Sequence, residues 1–272
     1  MLSKEGSNMK IGFIGVGGMA QAIITGLLKK GTVAASDILV HSAHETYKTV
    51  AAKKGVTAIA DNRALVQQSD YVVLAVTPNV AADVLHDIEP VLDAKKQVLI
   101  SIVAGLELNR LEELAGYDLP ILRTLPNLNV AILAGMTAVH GNAQLTGEKA
   151  QTAISLFDAI GSTTVLPEAD FATFSALAGS SPAYVYLFID ALSRAGVKYG
   201  LTKAQATQIA AQAVTGSAQM VLASDENPFA LIDQVSSPGG STVAGLLSME
   251  ENGFMTAVVK GIDATISKNN EE

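Results

Sequence analysis

Two hydrophobic rhythms divide the chain. Up to about residue 169, short unbroken apolar runs alternate with stretches whose apolar positions recur every three or four residues. Beyond it only the helical spacing persists. The runs predict strands at Ile11–Ile14, 37–40, 56–59, 71–76 (the continuous run YVVLAV), 97–102 and 121–125, with further strands at 137–139 and 163–166. Between them fall helices after the first run, over 45–54, over Asn62–Gln68 with a cap at Asp61 or Asn62, from Pro78 to residue 88, from Leu108, and over 147–160. Strands alternating with helices predict a parallel, doubly wound α/β sheet with right-handed crossovers. From Asp170 onward the pattern predicts helices at 170–178, 182–199, Lys203–Ala223, 228–235, 243–250 and Phe254–Asn269. The helix Lys203–Ala223 is apolar over much of its circumference, so it must be buried, and a second subunit is the expected cover.

The segment KIGFIGVGGMAQA (10–22) joins a strand, a glycine turn and a helix start. Gly15, Gly17 and Ala20 have the spacing G-x-G-x-x-A. Gly15 permits a tight turn, Gly17 leaves no side chain between backbone and a pyrophosphate, and Ala20 lets helix and strand pack closely. The helix start then offers free N–H groups and a positive dipole end to phosphates. A plain strand-to-helix turn would need the same punctuation, so the context, rather than the glycines alone, carries the dinucleotide reading.

Composition narrows the class. The chain has 272 residues, 49% hydrophobic and 16% charged, as expected of a folded protein with a sizeable core. A net charge of −8 leaves no basic stripe for nucleic acid. No apolar run approaches the ~20 residues of a membrane span. Residues 1–8 are polar, without a signal core, and Met9 is a candidate second start, which would make them a leader or tag. There is no cysteine, which fits a cytoplasmic location, and the four histidines form no ligand cluster, so no metal site is expected.

In open α/β sheets ligands sit beyond the carboxyl ends of the strands. Four such ends stand out: residues 15–19; His41 and Ser42; Ala75, Val76, Thr77 and Pro78; and Ile102, Val103 and Ala104. No acid ends the second strand. Ser42 could bond a 2′-phosphate, with His41, His44 or Lys48 beside it, whereas Glu45 comes late for a ribose acid, so NADP(H) is expected over NAD(H). Small residues at 104–105 would let a nicotinamide approach, although loop punctuation alone explains the third and fourth ends. In the helical half, 178–182 (AGSSP) separates two helices, and 236–242 (SSPGGST) precedes a third. Glycines and hydroxyls at a helix start make a cradle for a small carboxylate. Alternatively, Ser241 or Thr242 is simply the helix cap.

Four motifs, GFIGVGGMA (12–20), RTLPN (123–127), ALAGSSPAYVYLFIDAL (176–192) and SSPGGST (236–242), carry a resemblance that runs from Met9 to about Lys268. The chain resembles the pyrroline-5-carboxylate reductase family. The resemblance implies a dinucleotide-binding domain over 9–169, a helical domain over 170–272 that interlocks with another subunit's, and a homodimer or a larger assembly of dimers. It implies cofactor contacts from Ile14, Gly15, Val16, Gly17, Gly18, Met19, Ser42, Asn62, Ala75, Val76, Thr77, Pro78, Ile102, Val103 and Ala104, with NADP(H) preferred and NAD(H) also possible. It implies substrate contacts from Ser237, Gly239, Gly240, Ser241 and Thr242, the Thr242 hydroxyl meeting the ring nitrogen of the imino acid. One departure stands out: the family commonly reads V-K-P where this chain has Val76, Thr77 and Pro78. Two rivals remain at this stage. A related 3-hydroxy acid dehydrogenase would use a lysine early in the helical half, and residues 179–190 contain none. A non-catalytic NADP-binding regulator would need no second anion cradle.

Overall fold

A computed structural model describes residues 9–269; the reading of residues 1–8 as a leader or tag falls outside them. Eight strands form one sheet: β1 (Ile11–Ile14), β2 (Ile38–His41), β3 (Thr57–Ala58), β4 (Tyr71–Leu74), β5 (Val98–Ser101), β6 (Ile121–Pro126), β7 (Gly135–Gly141) and β8 (Gly161–Val165). Their order is β3-β2-β1-β4-β5-β6-β7-β8. The crossovers contain α1 (Gly18–Lys30), α2 (Thr46–Lys54), α3 (Asn62–Gln68), α4 (Pro78–Ile88), α5 (Leu108–Ala115) and α6 (Gly147–Asp158). Helices α1, α2 and α6 bury Ile11, Phe13, Val40 and Val73 on one face. Helices α3, α4 and α5 bury Ile14, Leu39, Leu74 and Leu99 on the other. Burial on both faces is why these strands read as unbroken apolar runs. A Cβ on Gly12 would stand 2.2 Å from Ser69 Oγ and 2.4 Å from Leu65, so α3 lies directly on the β1 backbone.

The sheet departs from the all-parallel expectation at one edge. Strands β1 to β6 are parallel, but β7 pairs with β6 antiparallel, and β8 follows β7 in parallel. The β6–β7 connection is a single short 3-10 turn, Leu128–Ile132, too short for a parallel crossover. Strand ends are also trimmed. The run 71–76 stops pairing at Leu74, because its register with β1 ends at Ile14↔Leu74. The second strand starts one residue later than expected, since Asp37 is taken into the 3-10 turn Ala35–Asp37.

The chain divides into two compact units, one ending at Gly179 and the other starting at Ser180. Helix α7 (Phe171–Phe174), near the end of the first unit, packs Phe171 and Phe174 on Ala138 of β7. There is no break at 178–182. Residues Ser175–Ser180 form a π-helical turn that leads straight into α8 (Ser181–Lys198). The second unit continues with α9 (Lys203–Ala223), α10 (Pro228–Gln234), α11 (Ser241–Glu251) and α12 (Phe254–Asn269). Helices α8 and α9 form a close pair. A Cβ on Gly196 would stand 2.9 Å from Ala206 Cβ, the Ser193 and Thr207 hydroxyls bond at 2.8 Å, and a Thr202–Gln205 capping box starts α9. Among the described residues of this unit only Ser193, Ala206 and Ala210 are buried, while Leu187 is 71% and Leu222 87% exposed. Among the described residues no helix is long and apolar enough to cross a membrane.

Candidate active site

Strand order reverses at β1, which has β2 on one side and β4 on the other, and backbone hydrogen bonds tie the four strand ends into a row. Gly15 N–H donates to the His41 carbonyl at 2.8 Å, Ala75 N–H to Ile14 at 2.8 Å, and Ile102 N–H to Leu74 at 3.1 Å. The sequence-selected ends are therefore neighbours at the topological switch point, where ligands of such sheets bind.

At the centre is the glycine turn. Gly15 has φ +96°, and a Cβ there would stand 2.3 Å from the Ala75 carbonyl oxygen. Its glycine is demanded by the protein's own backbone, in the turn and in the close approach to β4. Gly17 is different. It is the N-cap of α1 at φ −72° with no capping side chain, and nothing lies within 4 Å of where its Cβ, or that of Gly18, would be. Internal packing asks for no glycine at either position, so the space before the α1 amides is open to a phosphate group. Gln21 Nε2 holds the Val16 carbonyl at 2.9 Å, Met19 is half-buried against the core, and Ala20, in the first turn of α1, is buried. Ile14 is buried at the end of β1.

Around this turn the remaining candidates are distributed as follows. Ser42 is half-buried just beyond β2. His41 Nδ1 lies 2.9 Å from the Ile59 carbonyl, and its ring sits 4.9 Å from that of Tyr47. A carbonyl only accepts, so this nitrogen carries the hydrogen. Lys48 is engaged with Glu45 at 2.5 Å, and that carboxylate holds its ammonium above the usual lysine value. Glu45, the late candidate for a ribose acid, is the partner of Lys48 in this exposed pair. Of the two proposed caps of α3, Asp61 serves, accepting from Ala64 N–H at 2.8 Å. Asn62 is left free, with its Oδ1 enclosed and without a hydrogen-bond partner, an acceptor suited to a ligand's donor. Ala75 and Val76 are half-buried beyond β4. Thr77 is the N-cap of α4 but donates its hydroxyl to Asn79 Oδ1 at 2.6 Å, and Pro78 occupies the first helical turn. Beyond β5, Ile102 is half-buried, Val103 is buried with its N–H on Ser101 Oγ at 3.3 Å, and Ala104 is exposed. Open amides, an orphaned acceptor and small exposed residues at adjoining strand ends fit a dinucleotide.

The second candidate group lies in the second unit. Gly240 N–H donates to the Ser237 carbonyl at 2.9 Å, and Gly239 has φ +70°. With Pro238 second and Gly239 third, residues 237–240 form a type II turn. That turn brings the helix start forward. Gly240 is the N-cap, α11 begins at Ser241, and no side chain caps it. Both hydroxyl residues are therefore inside the helix, contrary to the expectation that one of them caps it. The amides of Ser241, Thr242 and Val243 lie at an uncapped start with the positive dipole end. Thr242, Ser241, Ser237 and Gly239 are exposed and Gly240 half-buried, while Ser236 Oγ is enclosed without a partner.

Two structural anchors escaped the sequence reading, although RTLPN had singled out their neighbourhood. Arg123 of β6 is ion-paired with Glu168 and lies over the Phe171 ring at 4.5 Å. Glu168 also accepts from Leu108 N–H at 3.0 Å, capping α5 from outside. Asn127 donates from Nδ2 to the Ala178 carbonyl at 2.9 Å and accepts at Oδ1 from Met136 N–H at 3.2 Å.

A doubly wound sheet with an open helix start at its switch point, followed by a helical unit with its own uncapped helix start, defines the class: a Rossmann-type, dinucleotide-dependent oxidoreductase. Comparison with known proteins makes this specific. Residues 168–272 match the pyrroline-5-carboxylate reductase dimerisation family, and residues 10–105 match the family described as NADP oxidoreductase, coenzyme F420-dependent. The pyrroline-5-carboxylate reductase of Escherichia coli is 38% identical over 260 residues, covering 95% of this chain and 96% of that one. The crystal structure of the Streptococcus pyogenes 1-pyrroline-5-carboxylate reductase is 41% identical, covers 98% of this chain and 100% of that one, and superposes with a TM-score of 0.84. That of the Plasmodium falciparum pyrroline carboxylate reductase, with NADP bound, is 31% identical over 96% of this chain and 97% of that one, with a TM-score of 0.85. The chain belongs to the pyrroline-5-carboxylate reductase family.

Proposed function

We propose that the chain reduces 1-pyrroline-5-carboxylate to L-proline, the last step of proline synthesis, with NADP(H) as the preferred cofactor. The observation that carries this reading within a dinucleotide-dependent family is the uncapped start of α11 behind the type II turn at 237–240. Its free N–H groups and positive dipole end favour a small anion such as a carboxylate. NADPH, when bound, supplies the hydride that reduces the imine carbon. The chain's part is to bind and orient. Residues 14–19, Ser42, Asn62, 75–78 and 102–104 hold the dinucleotide. The turn at Ser237, Gly239 and Gly240 and the free amides of Ser241 and Thr242 hold the substrate carboxylate, which is catalysis by positioning. The Thr242 hydroxyl meets the ring nitrogen. A threonine hydroxyl is far too weak an acid to be the ultimate proton source near neutral pH. The substrate therefore arrives as the iminium, or Thr242 relays a proton from water. The exposed apolar faces of the second unit pair two copies into a homodimer, or a larger assembly of dimers, in a cysteine-free, cytoplasmic enzyme.

The test is NADPH oxidation, followed at its absorbance band with and without 1-pyrroline-5-carboxylate, with L-proline identified as product and NADH run in parallel. Oxidation that requires the imino acid is expected. NADPH binding without turnover would replace this reading with the regulatory one, and oxidation of a 3-hydroxy acid with NADP+ would replace it with the dehydrogenase one.

A further inference from the structure

The glycine turn that opens α1 carries a conformational cost. Nothing lies within 4 Å of where a Cβ on Gly17 or Gly18 would stand, and glycine takes positive φ about as readily as negative. The peptide units on either side of Gly17 can therefore rotate more freely than those beside any other residue. A trans peptide is planar, with its N–H antiparallel to its C=O, so a peptide that turns over swings its N–H away from a phosphate in front of the helix. The missing side chains that let a pyrophosphate approach also loosen the donors that would bind it.

One residue holds both of these peptides. Gln21, half-buried in α1, donates from Nε2 to the Val16 carbonyl at 2.9 Å, and its backbone N–H donates to the Gly17 carbonyl at 3.0 Å. Both carbonyls thus point toward Gln21, and the N–H groups of the same two peptides, those of Gly17 and Gly18, point the opposite way, out of the helix start. Among the described residues nothing accepts from either N–H. The backbone bond is the ordinary first bond of a helix, and any residue but proline would make it. The side-chain bond is particular: it reaches five residues back, past the N-cap Gly17, and needs a long side chain with a donor at its end.

We propose that Gln21 is a positioning residue for the cofactor, its side-chain amide fixing the Val16–Gly17 peptide so that the Gly17 N–H is aimed at the pyrophosphate before the ligand arrives. The inference rests on the reading that the glycine turn holds the pyrophosphate. All of its parts belong to the first unit. Gln21 acts through the backbone it orders, and a peptide ordered in advance removes that cost from the binding step.

Gln21→Leu removes the donor and keeps a good helix former. Titrated with NADPH by calorimetry, the full chain carrying it should bind about fivefold or more weakly than the unmodified chain, with little change in melting temperature. Adenosine 2′-monophosphate, which shares the 2′-phosphate of NADPH and lacks the pyrophosphate, is the control; measured by displacement of NADPH, its affinity should stay within about twofold. Unchanged NADPH affinity overturns the proposal. So does an equal loss for both ligands, the mark of a general disturbance of the unit. Gln21→Glu is the second variant and carries the same comparison if Gln21→Leu does not fold. Its carboxylate only accepts, so it repels the Val16 carbonyl and should weaken NADPH at least as much as Gln21→Leu does; NADPH binding as tight as in the unmodified chain overturns the proposal. Gly17→Val separates this inference from the reading beneath it. Unchanged NADPH affinity in Gly17→Val removes both, whereas affinity lost there and intact in Gln21→Leu removes the role of Gln21 alone.

Discussion

At Gly15 the backbone turns through φ +96° with a carbonyl 2.3 Å from where a Cβ would stand; at Gly17 the same atom would meet nothing within 4 Å. The two glycines should therefore fail differently. Gly15→Ala combines a left-handed backbone with a clash and should cost on the order of 1–3 kcal/mol, read as a melting temperature lower by several degrees. Gly17→Val should melt like the unmodified chain and lose NADPH affinity, because its side chain fills space that only a ligand uses; unchanged affinity by calorimetry would refute the phosphate assignment. Thr242 offers a similar contrast. Since Gly240 is the cap, removing the Thr242 hydroxyl takes away no capping bond. Thr242→Ala should thus lose on the order of tenfold or more in turnover at saturating NADPH, with little change in melting, while Thr242→Ser keeps most of its activity. Wild-type turnover in Thr242→Ala would end its role as the hydroxyl that meets the substrate.

Between elements, α8 and α9 are joined on the outside by Asp190, which meets Lys203 and Arg194 at 2.6 Å each. The Lys203 hydrogen bond, then that of Arg194, holds the Asp190 carboxyl down at about 2 against an ordinary 3.8. A depressed carboxyl stabilises the fold above its unfolded value and loses that contribution as pH falls through the folded one. Asp190→Asn should accordingly melt slightly lower at pH 7, by a margin that closes between about pH 4 and pH 2; because the groups are exposed, the effect is small and weakens with salt. Most elements were legible because their signals are local. Ile11–Ile14 and Tyr71–Leu74 are buried on both faces, and their composition says so directly. The direction of β7 was not legible: its residues would read alike in either direction, and the short 3-10 connection before it decides. Pro182 reads as the opening of a new helix, and nothing local in the sequence marks the π-helical turn Ser175–Ser180 that leads straight into α8. The segments proposed to hold the cofactor were legible as strand ends, whereas the helix start at Ser241 was hidden, since capping rules favour the hydroxyl residues and the positive φ at Gly239 moves the start upstream.

Over the whole molecule the two units are stabilised in different ways. The first buries both faces of its sheet. In the second, with three buried residues among those described and a Leu222 that is 87% exposed, the large apolar side chains have little cover of their own. Fully covering each leucine is worth about 1.5–3 kcal/mol, so sedimentation equilibrium at micromolar concentration should find no persistent monomer, and Leu222→Asp should shift the population toward single chains. A stable, active monomer would contradict this. The sparse interior of the second unit also has a genetic consequence. A Gly17→Val chain keeps all its helices and differs only where a ligand would sit, so it competes for partners on equal terms with intact chains. In a cell expressing both, at equal amounts and with random pairing, about three quarters of the pairs would contain a defective copy. If a mixed pair works poorly, the loss exceeds half and the allele behaves as dominant.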